Sequence, residues 1–201
     1  MGISPAAEQI RHQVLTLAQL DVPVLLNGET GAGKEVIANC IHDFGSRKNG
    51  RFVAINCAAI PKDLIESELF GHVKGAFSGA NTHRVGKLEY ASHGTLFLDE
   101  VESIPLHIQV KLLRALSEHT IEPLGSNEPR PIDIRVVSAT KESLRNHPGF
   151  RQDLYFRLQV AEIHIPPLRS RQEDIPLLFE HYAKTFALAS GVDWPGMTSS
   201  L

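Results

Sequence analysis

The segment Gly28-Glu29-Thr30-Gly31-Ala32-Gly33-Lys34-Glu35 constrains this chain more than any other. It sits directly behind the apolar run Val22–Asn27 (VPVLLN) and directly ahead of a helix-like stretch, Lys34–Phe44. Its first seven places fit G-x-x-x-x-G-K, a loop that wraps phosphates between a strand and a helix. Glycine tolerates positive φ and puts no side chain between backbone and ligand, so successive amides can point inward. The helix N-terminus behind the loop adds partial positive charge, and Lys34 would reach β- and γ-phosphates. The alternative is a Gly-rich turn with a solvated lysine, and the strand–turn–helix setting speaks against it. The eighth place holds Glu35, where a Ser or Thr hydroxyl usually ligates Mg²⁺. A metal here must rely on phosphates, water and another carboxylate.

The rest of the chain supplies the scaffold such a loop needs. Phe52–Asn56 (FVAIN), Thr95–Leu98 (TLFL), Ile134–Ala139 (IRVVSA) and Val160–Ile165 (VAEIHI) are further short apolar runs. Val/Ile/Leu runs of this length predict strands buried on both faces. Helix candidates lie between and after them. Leu106–Glu118 is expected to start near Ser103 and Pro105, to bury Leu106, Val110, Leu113 and Leu116, and to turn Lys111 and Arg114 outward. Another is expected from about Asp174, with Pro176 in its first turn, to about Ala189. Alternation of this kind implies an α/β fold with a five-stranded parallel sheet between helical layers. Gly71–Gly86 (GHVKGAFSGANTHRVG) has four glycines and little periodicity, and is expected to be a loop or insertion.

Such sheets bind ligands at the C-terminal ends of their strands. The run Thr95–Leu98 delivers two acids there, Asp99 and Glu100. Asp99 is placed to hold Mg²⁺ through water, and Glu100 to orient or deprotonate an attacking water. Two solvated acids ending a strand are the alternative, which the upstream loop disfavours.

Composition narrows the rest. The 42% hydrophobic content supports a large core, and the net charge of −3 argues against a basic nucleic-acid groove as the main function. Cys40 and Cys57 show no metal-ligand or CxxC spacing, which suits a reducing, cytoplasmic setting. No apolar run approaches the roughly 18–20 residues of a membrane span, and the N-terminus lacks a signal-peptide core. The histidines form no HxxxH or HExxH pattern, so His72, His83 and His93 read as surface or core residues.

Taken together, GETGAGKE (28–35), FVAINCAAI (52–60), ESELFGHVKGAFSGA (66–80), GTLFLDE (94–100), QVKLLRAL (109–116), FRQDLYFRL (150–158) and PLRSRQEDI (167–175) resemble one family. It is the AAA+ ATPase domain of bacterial sigma-54-dependent transcriptional activators, the enhancer-binding proteins. The resemblance runs from about Ser4 to about Ala189, and the family usually carries Glu at the place of Glu35. It implies a P-loop AAA+ three-layer α/β/α domain over residues 1–168, followed by the start of a helical lid over 169–201. It implies ATP and Mg²⁺, a ring, usually a hexamer, and ATP at subunit interfaces. Gly75-Ala76-Phe77-Ser78-Gly79-Ala80 matches the GAFTGA loop that contacts sigma-54 polymerase and transmits the hydrolysis stroke. Ser78 stands where Thr is usual and keeps the hydroxyl without the methyl. Phe77 is the expected apolar contact.

Arg151 and Arg157 match the family's arginine-finger region, which acts on a neighbour's γ-phosphate. Read from the residues alone, they are solvated charges or partners of Asp153. Asn56 matches a residue that pairs with the catalytic glutamate, against a plain turn-capping role. Thr140 matches the γ-phosphate sensor, against a helix N-cap. The family's GNVREL-type lid segment and its helix-turn-helix for enhancer DNA are not found. Trp194-Pro195-Gly196 resembles the WPG ahead of the former, but Met197-Thr198-Ser199 does not continue it. The expectation is a shortened module whose ATP turnover and ring closure are open.

Overall fold

The computed structural model describes residues 2–194 and Gly196; Met1, Pro195 and residues 197–201, with the Met197-Thr198-Ser199 stretch, lie outside the described residues. Five parallel strands form the central sheet: β1 (Val24–Asn27), β2 (Phe52–Asn56), β3 (Thr95–Asp99), β4 (Arg135–Thr140) and β5 (Ala161–His164). Their spatial order is β2-β3-β4-β1-β5. Burial follows position. The interior strands β3 and β4 are almost wholly buried, whereas the outer β2 and β5 alternate. This is the pattern expected when helices cover both faces.

The sequence runs dictate those two faces, because successive strand residues point to opposite sides. Leu25, Leu96, Leu98 and Val136 face one core, with Ile65 and Leu69 of α3 (Ile65–Phe70), Leu112 of α5 (Leu106–Glu118) and Leu154 of α6 (Gln152–Leu158). A short α4 (Lys87–Tyr90) adds Leu88. On the other face, Val24, Leu26, Phe97 and Val137 pack against Val14 of α1 (Pro5–Ala18) and Ile37 and Ile41 of α2 (Lys34–Asp43). The three-layer α/β/α expectation is met. Helix α7 (Ile175–Ser190) follows.

Two local expectations need correction. The buried face of α5 is Ile108, Gln109, Leu112, Ala115 and Leu116, while Leu106 and Val110 are exposed at 51% and 47%. A polar residue inside the true face disguised it. Gln109 is fully buried because its amide donates to Ile104 O (2.7 Å) and Gly149 O (2.9 Å) and accepts from Arg151 N (2.9 Å). The start of α5 is as expected, with Pro105 at the N-cap and no side chain bonding the first turn. The loop expected at 71–86 carries a short antiparallel ribbon, Gly71–His72 with Arg84–Val85. Helix α1 was not among the expected elements. Ser4 starts it by accepting from Ala7 N (3.2 Å), with proline at its first position.

Among the described residues, no helix is long and apolar enough to cross a membrane.

Candidate functional site

Strand register gathers the chemistry at one edge. Asn56 lies beside Asp99 at the ends of β2 and β3, and Asn27 lies beside Thr140 at the ends of β1 and β4. The cradle leaves from Asn27. Gly28 N donates to Thr140 O (3.1 Å), tying the first glycine to β4. A Cβ on Gly28 would lie 2.8 Å from Ile165 O, so close packing excludes any side chain there. Gly31 and Gly33 are needed for conformation instead, with φ of +79° and +100° in open space. Gly33 is the N-cap of α2 and no side chain bonds the first turn, so that turn's amides face the loop uncapped.

Lys34 is 8% exposed, and its Nζ donates to Gly28 O (2.8 Å) and Glu29 O (3.1 Å). The ammonium is thus held inside the loop on two backbone carbonyls, partners that a phosphate can replace. Glu35 is exposed in the first turn of α2. Thr30 and Ala32 complete the loop, with Ala32 N donating to Glu29 O (3.1 Å).

The two acids diverge as their neighbours dictate. Asp99 Oδ1 accepts from Glu100 N (3.0 Å). Glu100 has φ of 50°, a left-handed conformation uncommon outside glycine. Its carboxylate meets Lys141 Nζ at 2.8 Å and Asn56 Nδ2 at 3.4 Å. The hydrogen bond from Lys141 holds the Glu100 carboxyl below its ordinary range, outweighing desolvation, with Asn56 and Lys34 adding to the effect. Asn56 serves two roles at once, because its Oδ1 also accepts from Ala58 N and Ala59 N at 3.0 Å. Thr140 is fully buried, and its hydroxyl braces the next turn through Glu142 N and O at 3.1 Å. No helix follows it, so the N-cap alternative does not apply.

Among the described residues, no three His, Cys, Asp or Glu side chains cluster to hold a metal. A cation at this edge would draw on Asp99, phosphate and water, an all-oxygen set that suits Mg²⁺. Cys57, beside Asp99, is no nucleophile: burial pushes its thiol up to about 12, with nearby carboxylates adding. Cys40 is half-buried.

Other expected residues lie elsewhere. Arg151 pairs with Asp153 (2.7 Å), and Arg157 Nη2 donates to Leu116 O (2.6 Å). Among the described residues, neither makes a hydrogen bond or ion pair to the cradle. In the ribbon, Gly75 N donates to Ala80 O (2.8 Å) and Ala80 N to Phe77 O (3.0 Å), closing the Gly75–Ala80 tip. Phe77 is 42% exposed, with its ring edge-on to His72 at 5.1 Å. His72 is buried and bonded to Ser67 Oγ (2.7 Å). His93 is exposed beside Asp133, as expected of a surface residue.

Sequence reasoning missed several neighbours of the cradle. Arg169 grips Glu29 through two bonds of 2.6 and 2.7 Å and lowers that carboxyl's pKa. Arg171 donates to Ala32 O (2.8 Å). A cavity of about 470 Å³ opens beside Gly31–Gly33, walled by Ile10, Ile37, Ile165, Phe179 and Tyr182. The only sequence signal for it was the row of apolar residues in α7, which stay largely exposed.

The chain matches the sigma-54 interaction domain family over residues 1–164. It is 51% identical over 220 aligned positions to the C4-dicarboxylate transport transcriptional regulatory protein DctD of Pseudomonas aeruginosa, covering all of this chain and 48% of DctD. It is 50% identical over 185 positions to the DNA-binding transcriptional regulator NtrC of Azospirillum brasilense, covering 90% of this chain and 38% of NtrC. The chain therefore spans about half the length, or less, of these relatives. Crystal structures of NtrX from Brucella abortus with ADP and with ATP superpose at TM-scores of 0.91 and 0.90, each 36% identical. They cover 99% and 98% of this chain, which in turn covers 44% and 43% of them.

Proposed function

The chain belongs to the sigma-54 interaction domain family, and from that premise we propose that it binds MgATP at Gly28–Glu35 and hydrolyses it to drive a contact with sigma-54 polymerase through Gly75–Ala80. The observation that carries this reading is the buried Lys34 ammonium on loop carbonyls, beside an edge that presents Asp99 and Glu100. The solved NtrX complexes with ADP and ATP support the choice of adenine nucleotide. Residues 1–168 are the nucleotide-binding unit in this reading, and 169 onward begins a lid. The setting is cytoplasmic.

The roles follow from geometry. Lys34 and the first-turn amides of α2 bind the β- and γ-phosphates. Asp99 holds Mg²⁺, which supplies charge neutralisation on the phosphates when bound. Glu100 orients and deprotonates the attacking water once its carboxylate leaves Lys141 and Asn56. Thr140, tied to Gly28, reports the γ-phosphate to β4. The cavity beside Gly31–Gly33 takes the base. Arg151 and Arg157, which do not contact their own cradle, supply charge to a neighbouring copy's phosphate in a ring.

Steady phosphate release and MgATP binding, measured on the wild type and Lys34→Ala, test the site; equal binding by both overturns it. A pull-down with sigma-54, with and without an ATP transition-state mimic, tests the coupling. Capture that ignores nucleotide sinks that part. A second reading, nucleotide binding without turnover, draws on the same separation of the arginines from the cradle. It predicts phosphate release that stays flat and low per subunit as protein concentration rises, where a ring predicts a cooperative increase.

A further inference from the structure

The root of α7 is joined to the chain's first residues by one fully buried carboxylate. Asp174 Oδ1 accepts from Ile3 N (2.6 Å) and Ser4 N (2.7 Å), and Oδ2 accepts from Ser4 Oγ (2.9 Å). Gly2 lies against the same group so tightly that a Cβ there would fall 2.0 Å from Asp174 Cγ. Arg11 of α1 donates to Gly2 O and fixes the segment from its other side. Arg171 Nη1 stands 3.7 Å from Asp174 Oδ2, while its Nη2 donates to Ala32 O of the cradle. A row of contacts thus runs from the N-terminal segment through Asp174 and Arg171 to the phosphate loop.

This row spans the cavity next to the cradle. Gly2, Ala7 and Ile10 line it from the N-terminal side of the chain, and Arg171, Ile175 and Phe179 line it from the segment that leads into α7. The walls come from segments about 170 residues apart in sequence, and Asp174 bonds one to the other. A buried carboxylate survives only if its oxygens are satisfied. Here the donors are on the first segment, so the carboxylate is stable only when that segment is seated.

We propose that Asp174 is a positioning residue for the nucleotide base. By seating Gly2–Ser4 it sets the width of the apolar slot, and through Arg171 it fixes that slot relative to the phosphate loop. The inference rests on the ATP reading above. It assigns Asp174 no contact with the nucleotide and no part in the chemistry. It separates affinity for the base from affinity for the phosphates.

The test compares MgATP with magnesium tripolyphosphate, which has the phosphates without the base. Binding of both is measured on the wild type, Asp174→Ala, Asp174→Asn and Gly2→Ala. Asp174→Ala is expected to weaken MgATP about tenfold, as loss of charge-assisted bonds predicts, while tripolyphosphate changes less than about twofold. KM for ATP rises and kcat at saturation holds. Asp174→Asn, which keeps one acceptor oxygen, loses less. Gly2→Ala keeps Asp174 but drives a methyl against its carboxylate; it unseats the segment and gives the same ratio, which carries the test if Asp174→Ala does not fold. Unchanged MgATP affinity in Asp174→Asn and Gly2→Ala overturns the proposal, as does a parallel loss of both ligands. Failure of the wild type to bind MgATP would overturn the underlying reading instead.

Discussion

The two ends of the sheet use cations in opposite ways. At the strand ends, Lys34 rests on the carbonyls of Gly28 and Glu29, and Lys141 rests on the Glu100 carboxylate. These partners sit on loops or on flexible side chains, so an incoming phosphate or water can replace them. At the strand starts, Arg135 is 3% exposed and donates to Leu17 O (2.7 Å) and Ala18 O (3.1 Å), the last carbonyls of α1. Arg47 bridges Asp21 and Asp133 at 2.7 Å each. Their partners are helix ends and fixed turns that no ligand displaces. Cations at one edge are poised for exchange, and at the other they staple elements together. What separates the groups is the mobility of the partner rather than the charge.

Arg151 is the sharpest probe of that distinction. It is half-exposed and, among the described residues, its side chain pairs with nearby Asp153 alone, which suits the proposed role toward another copy. Arg151→Ala is expected to lower phosphate release by about 10³-fold or more, the scale of a lost arginine finger, without loss of thermal stability. Mixing it with Glu100→Gln, itself inactive, should restore part of the activity, because some interfaces then pair an intact Glu100 with an intact Arg151. Mixtures no better than their components would break the cross-copy reading.

Glu100→Gln tests the exchangeable edge directly. Loss of the general base should slow release by about 10²–10⁴-fold. MgATP affinity should stay near that of the wild type, because binding falls to Lys34 and the loop amides. Equal loss of binding and turnover would mean that Glu100 shapes the cradle rather than activating water.

The stapling edge should answer in stability. Arg135→Met removes the guanidinium and strands the Leu17 and Ala18 carbonyls, which is expected to cost about 1–3 kcal/mol in urea unfolding. Nucleotide affinity should not move, since no cradle residue is touched. A large loss of ATP binding with little loss of stability would invert the comparison.

Local chemistry explains what could be read ahead of the structure. Glycines at 28, 31 and 33 are required by close packing or positive φ, needs that a short stretch states by itself. The bounds of Phe52–Asn56 match expectation although β2 is an outer strand of alternating burial, and the strand ending in Asp99 lies within a residue of its expected end because an interior strand writes its burial into a continuous apolar run. The misses involve partners far apart in the chain. The α5 face was misjudged because Gln109 is satisfied from Gly149 and Arg151. Arg169 and Arg171 stood in a segment whose likeness to the family was plain, yet their contacts with Glu29 and Ala32 cross about 140 residues. Asp174 read as an ordinary helix start, while its donors lie at Ile3 and Ser4. A side chain's type limits what it can bond, and only the fold chooses the partner.

The smallest effect, and the finest test of exchangeability, concerns Lys141. Its hydrogen bond is the main reason that the Glu100 carboxyl lies below the usual glutamate range, with desolvation opposing. A carboxyl depressed in the folded state contributes stability above its unfolded pKa. That contribution disappears as pH falls through the folded value. The same depression keeps Glu100 ionised further into acid in the free protein, so the acid limb of kcat/KM should lie below the ordinary glutamate range. Lys141→Gln replaces the ammonium with a neutral amide and should move that limb to higher pH, while the limb of kcat should hold if Glu100 leaves Lys141 before the chemical step. It also leaves Glu100 more basic and freer to turn toward water. Turnover at neutral pH should therefore hold or rise modestly, since a stronger base in its ionised form transfers protons more readily. Profiles of kcat against pH for the two proteins settle the point. An unmoved acid limb would mean that Glu100 has already left Lys141 when hydrolysis occurs, which places the exchange before the chemical step. A limb that moves would keep Lys141 on Glu100 into that step, making this cation, unlike Lys34, a partner retained during turnover.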